Sequence, residues 1–446
     1  MRYLKSFTGF GRDARLFLVT TVVFGAALSL YWVDFNLYLE SIGLDAGTIG
    51  LLMATSQLAG VVVALPASAL SNRIGRRAVM AGGMALIAGA LFLVLPGQLW
   101  LLFIGVAALG AGSQAVSVVQ VPYIAERTRP DQRNEYFAMW SALGFMTNLV
   151  ATIAGGTIAT ALAERFDLTG AAAPYRILMA GVAIIGVLAL ATVFMLSSDR
   201  PAPGTVRPDR GRFGLRVSDR KLFFRLLLPG FITALGAGQL IPFLNIFIQH
   251  RFGLDLSAIN LVFGVTSLGT AAAIMAQPAI ARRFGRIGSI VLVQGASIPF
   301  LVVLGFSPAL WTVVIALAVR NSLMNAGGPM FDAFAMEKVS AEERATLSAG
   351  MTLLWALGWT IAPLYYGVLQ QQLGFDRGYA VDFVTIMVLY SIATGLLWKW
   401  FRETDREAAE RAAMAGPAGA ASEDRAPLDT PVEDPAPVEA PVFEHA

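Results

Sequence analysis

The 446 residues contain no cysteine, which excludes disulfides and thiol chemistry. Histidine occurs only at His250 and His445, too few for an imidazole metal site, so neither a metal centre nor a cofactor is expected. Charge is also scarce: Asp, Glu, Lys and Arg make up 14% of the chain, against about a quarter in ordinary soluble domains. No stretch reads Gly, four residues, Gly-Lys-Ser/Thr, so the loop that would cradle ATP phosphates is missing. No constellation of a nucleophile with a histidine base, or of metal ligands, suggests an enzyme, and no catalytic residue is assigned. The formal net charge of +3 sits mostly in short basic segments between apolar runs and gives no reason to expect a nucleic-acid partner.

What is present is apolar sequence. Hydrophobic residues make up 56% of the chain and the mean hydropathy is +0.64, values of a polytopic membrane protein. Twelve spans are expected at about 16–40, 46–70, 78–96, 99–126, 136–160, 176–197, 223–249, 256–281, 287–306, 309–338, 346–372 and 379–401. All should be helices. Segments of about 25 residues satisfy their backbone polar groups internally in hydrocarbon, whereas barrel strands would be about ten residues long and alternating. The 44 glycines suit close helix packing.

The chain also repeats itself. Arg73-Ile74-Gly75-Arg76 returns 210 residues later as Arg283-Phe284-Gly285-Arg286, and Gly43-Leu44-Asp45 returns at the same offset as Gly253-Leu254-Asp255. The segment from Glu126 to Arg133 matches that from Glu337 to Arg344, 211 residues on. Signals in the same order at one offset imply two homologous membrane halves, the plan of a transporter. The expected division is an N-terminal six-helix bundle over 1–197, a cytoplasmic linker over 198–222, a C-terminal six-helix bundle over 223–402 and a disordered cytoplasmic tail over 403–446. A helical start to that tail at Glu403–Met414 is compatible with its composition.

Basic residues set the orientation. With the N-terminus inside, cytoplasmic segments up to Arg402 hold 25 Lys and Arg, while the outer loops hold only Arg165, Arg176, Arg251 and Arg377. Both termini are therefore expected in the cytoplasm. The first span is full length and lacks a small-residue cleavage site, so it should stay in the membrane. The eight basic residues between Arg200 and Arg225 suit topology and contact with anionic lipid.

The turn after the second span, Ser68-Ala69-Leu70-Ser71-Asn72-Arg73-Ile74-Gly75-Arg76-Arg77, resembles the signature of the major facilitator superfamily: Gly, three residues, Asp-Arg, any residue, Gly-Arg and a basic residue. Arg73, Gly75, Arg76 and Arg77 match; Ser68 and Asn72 depart. The resemblance implies two six-helix bundles that rock about a central cavity. It also implies that a motif arginine pairs with an acid at the inner end of the fourth span. Glu126 is then the partner of Arg73, and Glu337 the partner of Arg283, with Gly285 and Arg286 completing the second copy. The family's aspartate faces the start of span 11; Asn72 brings no charge to that helix end, so this latch should be weak. Two departures argue against a standard multidrug antiporter: span 4 reads Val106-Ala107-Ala108-Leu109-Gly110 without arginine or glutamine, and span 5 has Ala151-Thr152 ahead of Gly155-Gly156.

Charges inside spans are expensive and mark function. Arg320 lies roughly 17 Å into the tenth span, near the midplane, and Asp34 roughly 13 Å from the outer end of the first. In the superfamily those spans line the cavity, so Asp34 and Arg320 are expected to face each other. They would form either a structural ion pair or a proton site beside a cation for an anionic substrate group. Asn36 and Asn245 occupy matching places in the two halves, 209 residues apart, and are further site candidates. The expected function is secondary active transport of a small organic solute by alternating access, coupled to protons. The protein should be a monomer among lipids of a bacterial inner (plasma) membrane. The alternative is a transporter-like sensor or assembly factor without solute flux.

Overall fold

The computed structural model describes residues 9–129, 132–168, 170, 172–199, 217–267, 269, 286–340 and 342–423. Its first half consists of α1 (Arg12–Ser41), α2 (Ala46–Ile74), α3 (Arg76–Val94), α4 (Leu99–Arg127), α5 (Arg133–Arg165) and α6 (Ala173–Phe194). The second half holds α7 (Arg220–Leu240), a 3-10 turn at Ile241–Phe243, α8 (Leu244–Phe252), α9 (Leu256–Ser267), α10 (Arg286–Phe306), α11 (Leu310–Glu337) and α12 (Arg344–Glu423). All these elements are helical, as expected of chain that must satisfy its backbone within hydrocarbon.

Two places show how sequence shapes the path. α12 is hydrogen-bonded as helix over its whole length, yet Gln370 donates to the Asp382 carboxylate at 2.9 Å. Residues twelve positions apart would stand ~18 Å from each other along a straight helix. The chain therefore reverses at Gly374, whose φ of +73° a residue with a side chain would resist, and α12 is a hairpin of two membrane arms. Span seven is broken instead. Pro242 cannot donate a backbone hydrogen bond, so a 3-10 turn separates α7 from α8.

Nine helices among the described residues are long and apolar enough to cross a membrane. With the shorter Leu256–Ser267 helix, α11 and the second arm of the hairpin, all twelve expected spans are represented. The helical hairpin continues to Glu423, past the Glu403–Met414 start allowed by the sequence and into the tail expected to be disordered. Its Ala, Glu and Arg content favours helix. The rest of the expected tail, 424–446, and most of the expected linker lie outside the described residues.

Packing divides unevenly. One buried core runs through the first half and continues into the second through Leu240, Phe243, Phe247, Ile259, Leu317 and Phe383, at the end of the molecule that carries the Gly43 and Gly253 turns. A separate cluster around Leu226, Ile290, Phe334, Leu347 and Phe401 fills the opposite end of the second half alone. Among the described residues, the halves thus share a core at one end only. Where they meet, small residues let backbones touch: a Cβ on Gly50 of α2 would lie 2.3 Å from the Pro363 carbonyl oxygen of α12.

Candidate functional site

The broken seventh span is the centre of the contact between halves. The helix break leaves carbonyls that need donors, and side chains supply them. Asn36 Nδ2 of α1 donates to the Pro242 carbonyl, and Tyr379 Oη donates to the Phe243 carbonyl at 3.1 Å. Asn245, one residue into α8, returns the contact by donating to the Val33 carbonyl at 2.5 Å. Both asparagines are buried, and the structure brings these two sequence candidates together.

Beside them, Asp34 is fully buried. Its Oδ1 accepts from Asn260 Nδ2 of α9 at 2.8 Å, while Oδ2 has no partner. Arg320 is 4% exposed, but its guanidinium turns to the second arm of α12, donating to Tyr390 Oη at 2.8 Å and to Asn321 Oδ1 at 3.0 Å. The expected meeting of Asp34 with Arg320 is therefore corrected: no ion pair joins them among the described residues. The Asp34 carboxylate meets α9 and the Arg320 guanidinium meets the second arm of α12, a choice of partner that spacing along the chain cannot reveal.

Further polar contacts join the halves. His250 lies 2.8 Å from Glu40, Gln371 donates to Asp45 at 2.6 Å, and Ser267 donates to Asn148 at the middle of α5. Asp45 is held below the usual carboxylate range by the Thr48 hydroxyl and backbone N–H and by Gln371. A small cavity lies in this seam, lined by Tyr31, Trp32, Asn36, Gln57, Pro242 and Trp359 among others, and no lining residue is charged. The Trp359 indole N–H is buried without a partner.

The basic turn at the opposite end is built differently from the expectation. Gly75, with φ +93°, both ends α2 and begins α3. Glu126 forms its ion pair with Arg76, not Arg73, and Arg76 also donates to the Pro122 carbonyl at 3.1 Å. Asn72 and Arg73 are exposed, being on the outer face of the last turn of α2. The N-terminus of α3 is capped by Asp199, which accepts from the backbone N–H groups of Arg76 and Arg77 at 2.7 and 3.0 Å. Arg77 in turn reaches the Val193 and Phe194 carbonyls at the end of α6. Arg283 and Gly285 lie outside the described residues; Arg286 opens α10 and Glu337 closes α11.

Sequence reasoning missed three participants. Asn260 and Asp382 are both fully buried, and Asp199 follows α6. Asp382 had a readable signal, an acid within an apolar run; Asn260 and Asp199 are ordinary residues whose roles come from folding.

The Major Facilitator Superfamily model matches residues 17–363 and 226–423. The chain belongs to that superfamily. This major facilitator protein shares its fold with solved transporters: the nucleoside transporter NupG (13% identity, TM-score 0.69, covering 86% of this chain and 99% of that one) and a D-xylose–proton symporter (15%, TM-score 0.66, 86% and 97%). A bacterial homologue of the human lysosomal transporter Spinster, in an inward-facing and occupied conformation, also matches (14%, TM-score 0.65, 87% and 96%). At these identities the likeness is one of fold. No curated protein matches the sequence. The chain is thus a multi-pass membrane transporter of the superfamily.

Proposed function

We propose that this transporter moves an uncharged polar organic solute by alternating access, coupled to protons, and that the solute binds in the seam between the halves. The observation that carries the reading is the cavity there. It offers aromatic faces from Tyr31, Trp32 and Trp359, amides from Asn36 and Gln57, and the unpartnered Trp359 N–H, with no charged residue in its lining. Aromatic faces stack on sugar or base rings, and amides match their hydroxyl and carbonyl groups. The neighbours that share the fold include a nucleoside transporter and a proton symporter for a sugar, which fits the same chemistry.

Coupling falls to Asp34, the buried carboxylate at the same seam. The joined end corresponds to the side expected to face outward, so the structure is read as closed to the outside. Arg320, turned into the second half, is read as a fixed positive charge there.

Binding tests the substrate class. Uridine and D-xylose are titrated against the purified protein and followed by thermal stabilisation, with D-glucuronate as the charged control. At least one neutral probe should stabilise the protein, and Trp359→Phe, which keeps the ring but removes the N–H, should weaken that binding roughly 5- to 30-fold. Stabilisation by glucuronate alone would overturn the assignment to uncharged solutes.

A further inference from the structure

Asp34 and Asn260 come from different halves and meet side chain to side chain. One hydrogen bond joins them, from Asn260 Nδ2 to Asp34 Oδ1, and Asn260 Nδ2 spends its other proton on the Leu256 carbonyl at 3.0 Å. Two atoms of the pair are left over. Asp34 Oδ2 and Asn260 Oδ1 are both buried and both without a partner, and both are acceptors once the carboxyl is ionised. Two buried orphaned acceptors in one carboxyl–amide pair are costly, and no further donor can come from Asn260.

We propose that Asp34 and Asn260 together form a proton-binding site that fastens the halves: a proton on Asp34 Oδ2 donates to Asn260 Oδ1, closing an acid–amide ring whose other bond is already in place. One proton satisfies both orphaned atoms. When it leaves, the carboxylate faces an amide oxygen across the ring and has one donor and no cation. That ionised state is better served by water, which reaches Asp34 only if α1 and α9 part. Closure and proton binding therefore favour each other by linkage. Asn260 cannot easily shift away, because α5 packs on its other side: a Cβ on Gly156 would lie 2.7 Å from Asn260 Cβ.

The other ionisable groups around the site are few. They are Tyr175 of α6, to which Gln249 donates, Glu40 on the same helix as Asp34, and Asp255 just ahead of α9. Glu40 is paired with His250 of α8. The His250–Glu40 pair also links the halves and also responds to pH, so it must be separated from the ring by experiment.

The inference rests on the proton-coupled reading of Asp34 but needs no solute, so loss of flux and loss of the ring are distinguishable. The cysteine-free chain permits clean labelling. Nitroxides are placed at Phe166→Cys and Pro308→Cys, exposed positions on opposite halves at the joined end, and their distance distribution is measured in nanodiscs without solute from pH 5 to 9. A short distance should dominate at low pH and a longer one should grow as pH rises. Asp34→Asn should hold the short distance throughout, Asn260→Leu should flatten the response, and Asn260→Asp, which restores an acceptor opposite Oδ2, should return it. His250→Gln should leave the response in place. A response unchanged by both Asp34→Asn and Asn260→Leu, or abolished by His250→Gln alone, would overturn the proposal.

Discussion

Asn36 and Asn245 each hold the other's helix. Asn36 Nδ2 donates to the Pro242 carbonyl in the break of span seven, and three residues beyond that proline Asn245 Nδ2 donates to the Val33 carbonyl of α1. Two equivalent residues of a duplicated chain thus make reciprocal contacts across the axis that relates the halves. Each bond ends on a main-chain oxygen, so neither depends on charge or pH.

Removing either amide should loosen the joined end without unfolding the halves. Asn36→Ala also strands the half-buried Pro242 carbonyl, at a cost of about 1 kcal/mol to the closed arrangement, and Asn245→Ala should cost a similar amount. Maleimide labelling of a cysteine at Gln57, in the seam, should then speed up from the side of the Gly43 turn in both variants. Unchanged labelling in both would show that the contacts do not hold the seam.

The cap on α3 gives a second expectation. Asp199 meets the first two N–H groups of that helix, and an aspartate in this role stabilises a helix start by about 0.5–2 kcal/mol. Asp199→Ala should lower the thermal midpoint of the detergent-solubilised protein, whereas Asn72→Ala, at an exposed position, should barely move it. Equal losses would return the role to the position the superfamily signature uses.

Much of the fold is legible in the sequence. Apolar runs set the spans, the repeat set the two halves, and Gly75 marked a turn that the structure places between α2 and α3. The hairpin at Gly374 falls between the expected spans at 346–372 and 379–401. The site was legible in part. Burial of Asp34, Asn36, Asn245 and Arg320 followed from polar residues inside apolar spans, because depth is counted along a helix. Partners were not legible, since they depend on the rotation of each helix about its axis. Arg76 therefore took the role expected of Arg73, and Asn260 the place expected of Arg320.

Acid should act on the loop between α11 and α12. Glu343 accepts from the Ser218 hydroxyl and N–H and from Ser340, and these donors, the Ser218 hydroxyl foremost, hold its carboxyl down at about 2. Because the folded value lies below the unfolded one, the stabilisation is complete above the ordinary carboxylate range of about 4 and is lost as pH falls from there toward 2. Glu343→Gln should unfold with a midpoint that varies less between pH 5 and 3 than the parent's. A parallel fall in both proteins over that window would remove Glu343 from the account.

The central claim is coupled movement of solute through two alternating states, and flux measures it most directly. Purified protein is reconstituted in liposomes, and uptake of labelled uridine and D-xylose is followed with and without an imposed pH gradient. The account predicts saturable transport of a neutral solute that the gradient drives above equilibrium, and an Asp34→Asn protein on which the gradient no longer acts. Binding without flux under either condition would contradict it, and would make the chain a transporter-like sensor or assembly factor.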